Sequence, residues 1–280
     1  MTEQAIRRET TETGSLPGGS AVSDWLQEVL ALAKRWFIEL GQEKLNLVFS
    51  VAQPAIWLVF FGTGIGRAVD KGVIGTDDYT GFTLPGIVAF TVVGGGVAAA
   101  MPLMWDKEGG YLDKLMSMPI SRSSIIVSRF VYQFALATAQ VLALVVVAVI
   151  GGVHFEAGPA AILVIIATAG LLSLAVTASF SALAYAVPGH GTFFAITGFI
   201  TMPLLFISNA FVPLDALPRW MEVAARLNPL TYAIEAMRIP IVEGWDADIL
   251  VALGVLLAAG LVCLAFGTQQ FSKQTGDRVN

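Results

Sequence analysis

The chain has 280 residues, of which 56% are hydrophobic and 13% charged, with a mean hydropathy of +0.74; a soluble domain carries about 25% charged residues, so this composition is that of a membrane protein. A formal charge of -5 excludes the basic footprint that nucleic acid requires, and no nucleic-acid partner is expected. The one cysteine, Cys263, lies in an apolar run, which excludes an internal disulfide and hints at no metal cluster.

Residues 1–21 are rich in Thr, Glu and Gly and have no apolar face, the composition of a disordered tail. The first apolar run begins only at Leu45 and no small-residue cleavage pattern follows it, so a secretory signal peptide is not expected. Residues 22–44 predict an amphipathic helix, with Asp24 as N-cap and Gln27 in the capping-box position. Leu26, Val29, Leu30, Ala33, Phe37 and Leu40 recur at steps of three and four, while Glu28, Lys34, Arg35 and Glu39 are polar. That pattern suits a helix lying in the membrane interface, with a helix packed on a soluble partner as the alternative.

Charge-free windows locate the spans, because about 20 apolar residues cross a bilayer and a charge at mid-depth costs roughly 3 kcal/mol or more. The windows 45–66, 79–105, 130–155 and 249–272 each hold one helix. The window 157–214 is long enough for two, and Val187-Pro188-Gly189-His190-Gly191 interrupts it as a tight turn. The fold class is therefore all-α integral membrane, with six transmembrane helices within 45–272 and a short tail at 273–280.

The distribution of Lys and Arg orients these spans. With both termini cytoplasmic, the inner segments hold Arg7, Arg8, Lys34, Arg35, Lys44, Lys107, Lys114, Arg122, Arg129, Lys273 and Arg278, whereas the outer ones hold only Arg67, Lys71, Arg219, Arg226 and Arg238. The charged connector from Trp105 to Arg129 then faces the cytoplasm. It is long enough for a short helix from Gly110 to Ser117, stopped by Pro119, with Ser121 as N-cap of the next span. The outer segment 209–248 is apolar, yet Pro213, Pro218, Pro229 and Pro240 divide it into pieces too short to span. Short helices dipping part-way into the outer leaflet are expected, with Glu235 and Arg238 paired three residues apart.

Chemical motifs are sparse. The chain contains no G-x-x-x-x-G-K-[ST] loop, and Gly62-x-Gly64-x-Gly66 lacks the wider dinucleotide-binding context, so neither a nucleotide cofactor nor enzymatic activity is expected. His154 and His190 fall in different turns, with no carboxylate at ligand spacing, and no metal site is expected. Gly94-Gly95-Gly96 suits close helix packing or a flexible gate, and Pro54 and Pro203 would kink their helices. No ionisable side chain is expected within the spans, so the energy for any transport comes from outside the chain.

Two stretches resemble the ABC-2 type permeases, the membrane half of ATP-binding-cassette exporters. One is Asp106-Lys107-Glu108-Gly109-Gly110-Tyr111-Leu112-Asp113-Lys114-Leu115, followed by Met118-Pro119-Ile120-Ser121-Arg122. The other runs from Pro203 to Leu214, then through Leu217-Pro218-Arg219-Trp220, Leu227-Asn228-Pro229-Leu230-Thr231-Tyr232 and Glu235-Ala236-Met237-Arg238. The resemblance covers residues 22–272 and is closest to the daunorubicin-resistance type of bacteria. It implies pairing with a second copy or a sister permease, and two separate ATPase subunits that carry the ATP and Mg. It also implies a coupling helix, with Asp106, Lys107, Glu108, Gly109, Leu112, Leu115, Pro119 and Arg122 as ATPase-contact candidates. The outer segment would form a lid of re-entrant helices, represented by Asn209, Pro213, Trp220, Asn228, Pro229, Glu235 and Arg238. Gly109-Gly110 departs from the single Gly before Thr or Ser that is common in relatives.

The expected function is export of an amphipathic, lipid-like or drug-like compound across a bacterial cell membrane, with Phe90, Thr91 and Phe199 as pathway candidates. Export of a polysaccharide or glycoconjugate is the alternative within transport, and a non-transporting membrane scaffold is the alternative outside it.

Overall fold

The computed structural model describes residues 21–42, 44–65, 78–111, 114, 117 and 120–276, and every regular element among them is helical. The predicted tail at 1–20, the loop with Arg67 and Lys71, residues 277–280, and the coupling candidates Leu112, Leu115 and Pro119 lie outside the described residues. Helix α1 (Ala21–Gln42) is followed by α2 (Lys44–Val59), which passes into a π-helical turn at Phe60–Ile65. Next come α3 (Tyr79–Glu108), α4 (Arg122–Ile150), α5 (Ala160–Ala186) and α6 (His190–Phe206). A 3-10 turn at Leu214–Ala216 leads to the short helices α7 (Arg219–Leu227) and α8 (Pro229–Val242), and then to α9 (Asp248–Gly276).

Five segments are long and apolar enough to cross a bilayer: Leu47–Gly64, Tyr79–Glu108, Ser123–Ile150, Ala160–Ala186 and Asp248–Gln269. The chain is a multi-pass membrane protein. The predicted break at 187–191 is real, since α5 ends at Ala186 and α6 begins at His190. Helix α6 is apolar but has only 17 residues, short of the roughly 20 that make a comfortable span.

Helix α5 is the hub, packed against α3, α4, α8 and α9. Its sequence explains this role: Ala169, Gly170, Ser173, Thr177, Ala178, Ser181, Ala182 and Ala184 are buried, and such small side chains let neighbouring backbones approach where lipid supplies no hydrophobic drive between helices. The Phe134 ring of α4 fills the space beside Gly170, and Gly260 and Gly267 on α9 face Leu174 and the Ala178 carbonyl. Gly96 of the Gly94-Gly95-Gly96 run meets Val176 and Phe180 of α5. By contrast α2 is held lightly, with Pro54 and Leu58 buried and Leu45, Phe49, Ile56 and Phe60 exposed.

Helix α1 buries only part of its predicted apolar face. It begins at Ala21, so Asp24 sits inside the first turn, where a carboxylate favours the helix dipole, and does not cap it. Val29, Ala33 and Trp36 form the buried stripe against α4, whereas Leu26, Leu30 and Phe37 stay exposed. The contact is one narrow seam, because the Trp36 indole is taken up between arginine side chains at the bundle's edge. Trp25 Nε1 donates to Ser123 Oγ at 3.0 Å, and the Ser121 backbone N–H donates to Glu28 Oε2 at 3.0 Å. Ser121 does occupy the N-cap of α4, but its side chain makes no capping bond and its own N–H is satisfied from α1.

At the end of the bundle remote from the connector, Asp78 caps α3 by accepting from Gly81 N at 2.9 Å. The 151–158 turn is stitched to α8 by Glu156 N–H to the Ile241 carbonyl and Ala157 N–H to the Pro240 carbonyl. Gly86 of α3 lies against the chain after α6, where a Cβ would stand 2.8 Å from the Ala210 carbonyl oxygen. Gly86→Val should therefore cost about 1–3 kcal/mol and lower the apparent melting temperature in detergent. Gly198→Ala, which meets nothing within 4 Å, should leave it unchanged.

Candidate functional site

At the connector end, three charges from three helices meet. Asp106, in the last turn of α3, accepts from Arg35 Nη2 of α1 at 2.8 Å and lies 3.4 Å from Arg129 Nη2 of α4. Arg129 also donates to the Ala99 carbonyl at 2.9 Å. The Asp106 and Arg129 side chains are 7% and 3% exposed, against 37% for Arg35. The Trp36 ring lies under both guanidiniums, 4.8 Å from Arg35 and 4.3 Å from Arg129, and the Tyr111 ring meets Arg35 at 4.4 Å. Ionisable groups thus sit within the apolar helices α3 and α4, at the positions that bound the charge-free windows 79–105 and 130–155. They are tolerated because each is countered, Asp106 in the last turn of α3 by two arginines, and Arg129, about two turns into α4, by Asp106 and the Ala99 carbonyl.

The next residues continue the knot. Lys107 Nζ donates to the Tyr185 and Val187 carbonyls at 2.7 and 2.8 Å, which caps the C-terminus of α5 with a positive charge. Glu108 Oε1 lies 2.7 Å from His190 Nδ1 at the start of α6. The expectation that no carboxylate neighbours His190 is therefore corrected, since the pair closes over a distance in sequence that no local spacing encodes. Gly109 is the C-cap of α3, and Gly110 takes the left-handed conformation at φ 70° that glycine adopts without penalty. Among the coupling candidates, Asp106 and Lys107 face the bundle, Glu108 and Gly109 are exposed, and Arg122 is the first helical residue of α4.

A cavity of about 490 Å³ opens beside this cluster, walled by α1, α2, α3 and α4. Its lining mixes aromatic rings (Trp36, Trp57, Phe90, Trp105, Tyr132) with polar side chains (Ser50, Gln53, Thr91, Gln133, Gln140), and Arg129 closes one end. Of the predicted pathway residues, Phe90 and Thr91 line it, whereas Phe199 does not and is 80% exposed on α6. Sequence reasoning missed Gln133 and Gln140, which are buried on one face of α4. Their spacing of seven within an otherwise apolar window was the available signal.

Of the predicted lid residues, Asn209, Asn228, Pro229 and Arg238 form a second polar knot at the far end. Asn228 Nδ2 donates to the Leu204 and Ile207 carbonyls at 2.6 and 2.7 Å, and its Oδ1 accepts from Leu230 N at 2.9 Å, with Pro229 at the first helical position of α8. Arg238 donates to the Phe82 and Asn209 carbonyls at 3.2 and 2.5 Å, and its guanidinium lies 3.8 Å from the Phe82 ring centroid. The expected Glu235–Arg238 pair is not formed. The buried carbonyls after α6 need donors, and the planar guanidinium fork supplies several at once. Pro213 precedes the 3-10 turn, and Trp220, Val223 and Leu227 present an exposed apolar stripe on α7. Among the described residues no group of His, Cys, Asp or Glu could hold a metal ion.

Asp106→Ala should be the most damaging change at the connector end, at about 3 kcal/mol, because it strands the Arg129 guanidinium in a buried site. Arg35→Gln should cost less, since Arg35 is partly solvated. Replacing both buried partners, Asp106→Leu with Arg129→Met, should recover much of the loss in a detergent melting assay.

Residues 27–242 match the family described as ABC-2 type transporter. The putative transport permease ycf38 of Porphyra purpurea is 35% identical over 216 residues, covering 76% of this chain and 73% of the relative. Its counterpart in Cyanophora paradoxa is 33% identical over 76% of this chain and 74% of its own length. The daunorubicin resistance ABC transporter permease protein DrrB1 of Streptomyces coeruleorubidus is 25% identical over 91% and 94% of the two chains. With the helical bundle, its apolar spans and a family match that runs from α1 through α8, this chain belongs to the ABC-2 type transporter permeases.

Proposed function

We propose that the chain is the membrane subunit of an exporter that moves an amphipathic, lipid-like or drug-like compound out of the cytoplasm or inner leaflet. ABC-2 permeases imply an ATP-binding-cassette partner. In this reading two ATPase copies bind the ATP and Mg, and this chain neither binds nor hydrolyses nucleotide. The permease pairs with a second copy or a sister subunit in a bacterial inner or plasma membrane. Both termini are cytoplasmic, α6 completes six spans, and α7 and α8 dip into the outer leaflet as a lid. The observation that carries the reading is the cavity of about 490 Å³ with aromatic and polar walls, a size that holds one drug-sized molecule. A drug-resistance permease among the relatives supports the same substrate class, and a polymer or glycoconjugate would need a wider passage.

Force enters at the connector. Glu108 at the end of α3 and Gly109, Gly110, Tyr111, Lys114 and Ser117 after it are exposed, and we assign the ATPase contact to this stretch together with Leu112, Leu115, Pro119 and Arg122. Asp106 and Lys107 then act as anchors, passing a push on the connector to α1, α4 and α5 through the bonds described above. The double change Glu108→Ala and Leu112→Ala should reduce copurification of the ATPase and substrate-stimulated ATP turnover. Unchanged complex yield and turnover would remove the connector from the coupling path. ATP-dependent uptake of a fluorescent amphipath into inverted vesicles containing both subunits tests the transport assignment itself.

A further inference from the structure

The wall of the cavity contains polar atoms with no partner in the folded chain. Both Nε2 and Oε1 of Gln133 are buried and unbonded, as is Oε1 of Gln140, whose Nε2 donates to the Ser50 carbonyl at 3.1 Å. A buried, unmet amide is costly, at about 1–3 kcal/mol for each polar group, so two of them on one face of one helix call for an occupant. They are placed deliberately: a Cβ at Gly95 would run into the Gln133 amide, so the glycine makes the room in which that amide sits. Seven residues of helix set Gln133 and Gln140 about 10 Å apart along α4.

Charge narrows the occupant further. Among the described residues, Arg129 is the one charged side chain in the cavity lining. Asp106, which counters it, is shared with Arg35 and lies outside that lining. Among the described lining residues a cationic ligand would meet one arginine and no carboxylate, whereas an uncharged ligand meets amides and rings.

We propose that the cavity between α1, α2, α3 and α4 binds an uncharged amphipath whose hydroxyl or amide groups bond to Gln133 and Gln140 while its apolar body packs on Trp36, Trp57 and Phe90. This rests on the export reading above and names the substrate class for the same chain: neutral, hydrogen-bonding amphipaths, with cationic ones excluded.

The test uses the permease–ATPase complex in nanodiscs, with Trp25, Trp220 and Trp245 changed to Phe so that the cavity tryptophans report. Nitroxide-labelled stearamide is titrated without ATP, and tryptophan quenching is followed. The site predicts saturable quenching that Gln133→Leu weakens about three- to tenfold, the loss of one or two hydrogen bonds. The matching trimethylammonium probe should show no saturable phase. Because Gln133 bonds to nothing in the folded chain, Gln133→Leu should leave the melting temperature equal or higher, which separates lost recognition from lost folding. Quenching that rises without saturation, as expected from bulk lipid partition or from a cavity closed by a second permease copy, overturns the proposal. So does equal affinity in Gln133→Leu, or equal affinity for the cationic probe. ATP-driven transport by the same complex is measured in parallel. Transport without saturable binding sinks the site and spares the export reading, and binding without transport does the reverse.

Discussion

A carboxylate held between two guanidiniums fixes the connector end of this protein. Removing charges from water is expensive, and attraction between opposite charges repays the cost only when geometry and supporting hydrogen bonds are good. Asp106 meets that condition with Arg35 and Arg129, the Trp36 ring beneath both arginines, and the Ala99 carbonyl. The consequence is one of register more than of strength. Apolar contacts between helices tolerate sliding, whereas a buried ion cluster, together with the Trp25–Ser123 and Glu28–Ser121 bonds between α1 and the start of α4, allows one alignment. Lys107 and Glu108 extend that alignment to α5 and α6.

The bundle thus has two polar ends and an apolar middle whose helices meet through small residues. At the far end the polar groups are mostly backbone carbonyls left over where α6 stops, and Asn228 and Arg238 satisfy them. Between the ends, satisfied hydroxyls such as Thr91, Thr168 and Thr197 bond back to their own helices. Gln133 stands apart in that both of its amide atoms are buried without a partner among the described residues, whereas Thr177, Ser181 and Thr201 each leave a single hydroxyl unbonded.

Much of this arrangement was legible in the sequence because the bilayer imposes a simple rule on charge. The windows free of Asp, Glu, Lys and Arg located α2, α3, α4, α5 and α9, and Pro188-Gly189 marked the α5–α6 break. The proline-divided outer segment resolved into the 3-10 turn, α7 and α8. Partnerships were not legible. Arg35, Asp106 and Arg129 are far apart in the chain, and nothing local tells an arginine at a window edge that it will be buried against a carboxylate. Arg238 looked like half of an i, i+3 pair with Glu235, but buried carbonyls from α3 and from the chain after α6 compete for the same guanidinium. Of the apolar stripe predicted on α1, Val29 and Ala33 are buried, and Trp36, outside that stripe, joins them because it meets the arginines of the connector end.

Asn228 has a mechanical corollary. One side chain grips the last carbonyls of α6 with its nitrogen and the first N–H of α8 with its oxygen, so the two helices are riveted at a single bolt. Any displacement of α8 carries the end of α6 with it, and the flap cannot peel away strand by strand.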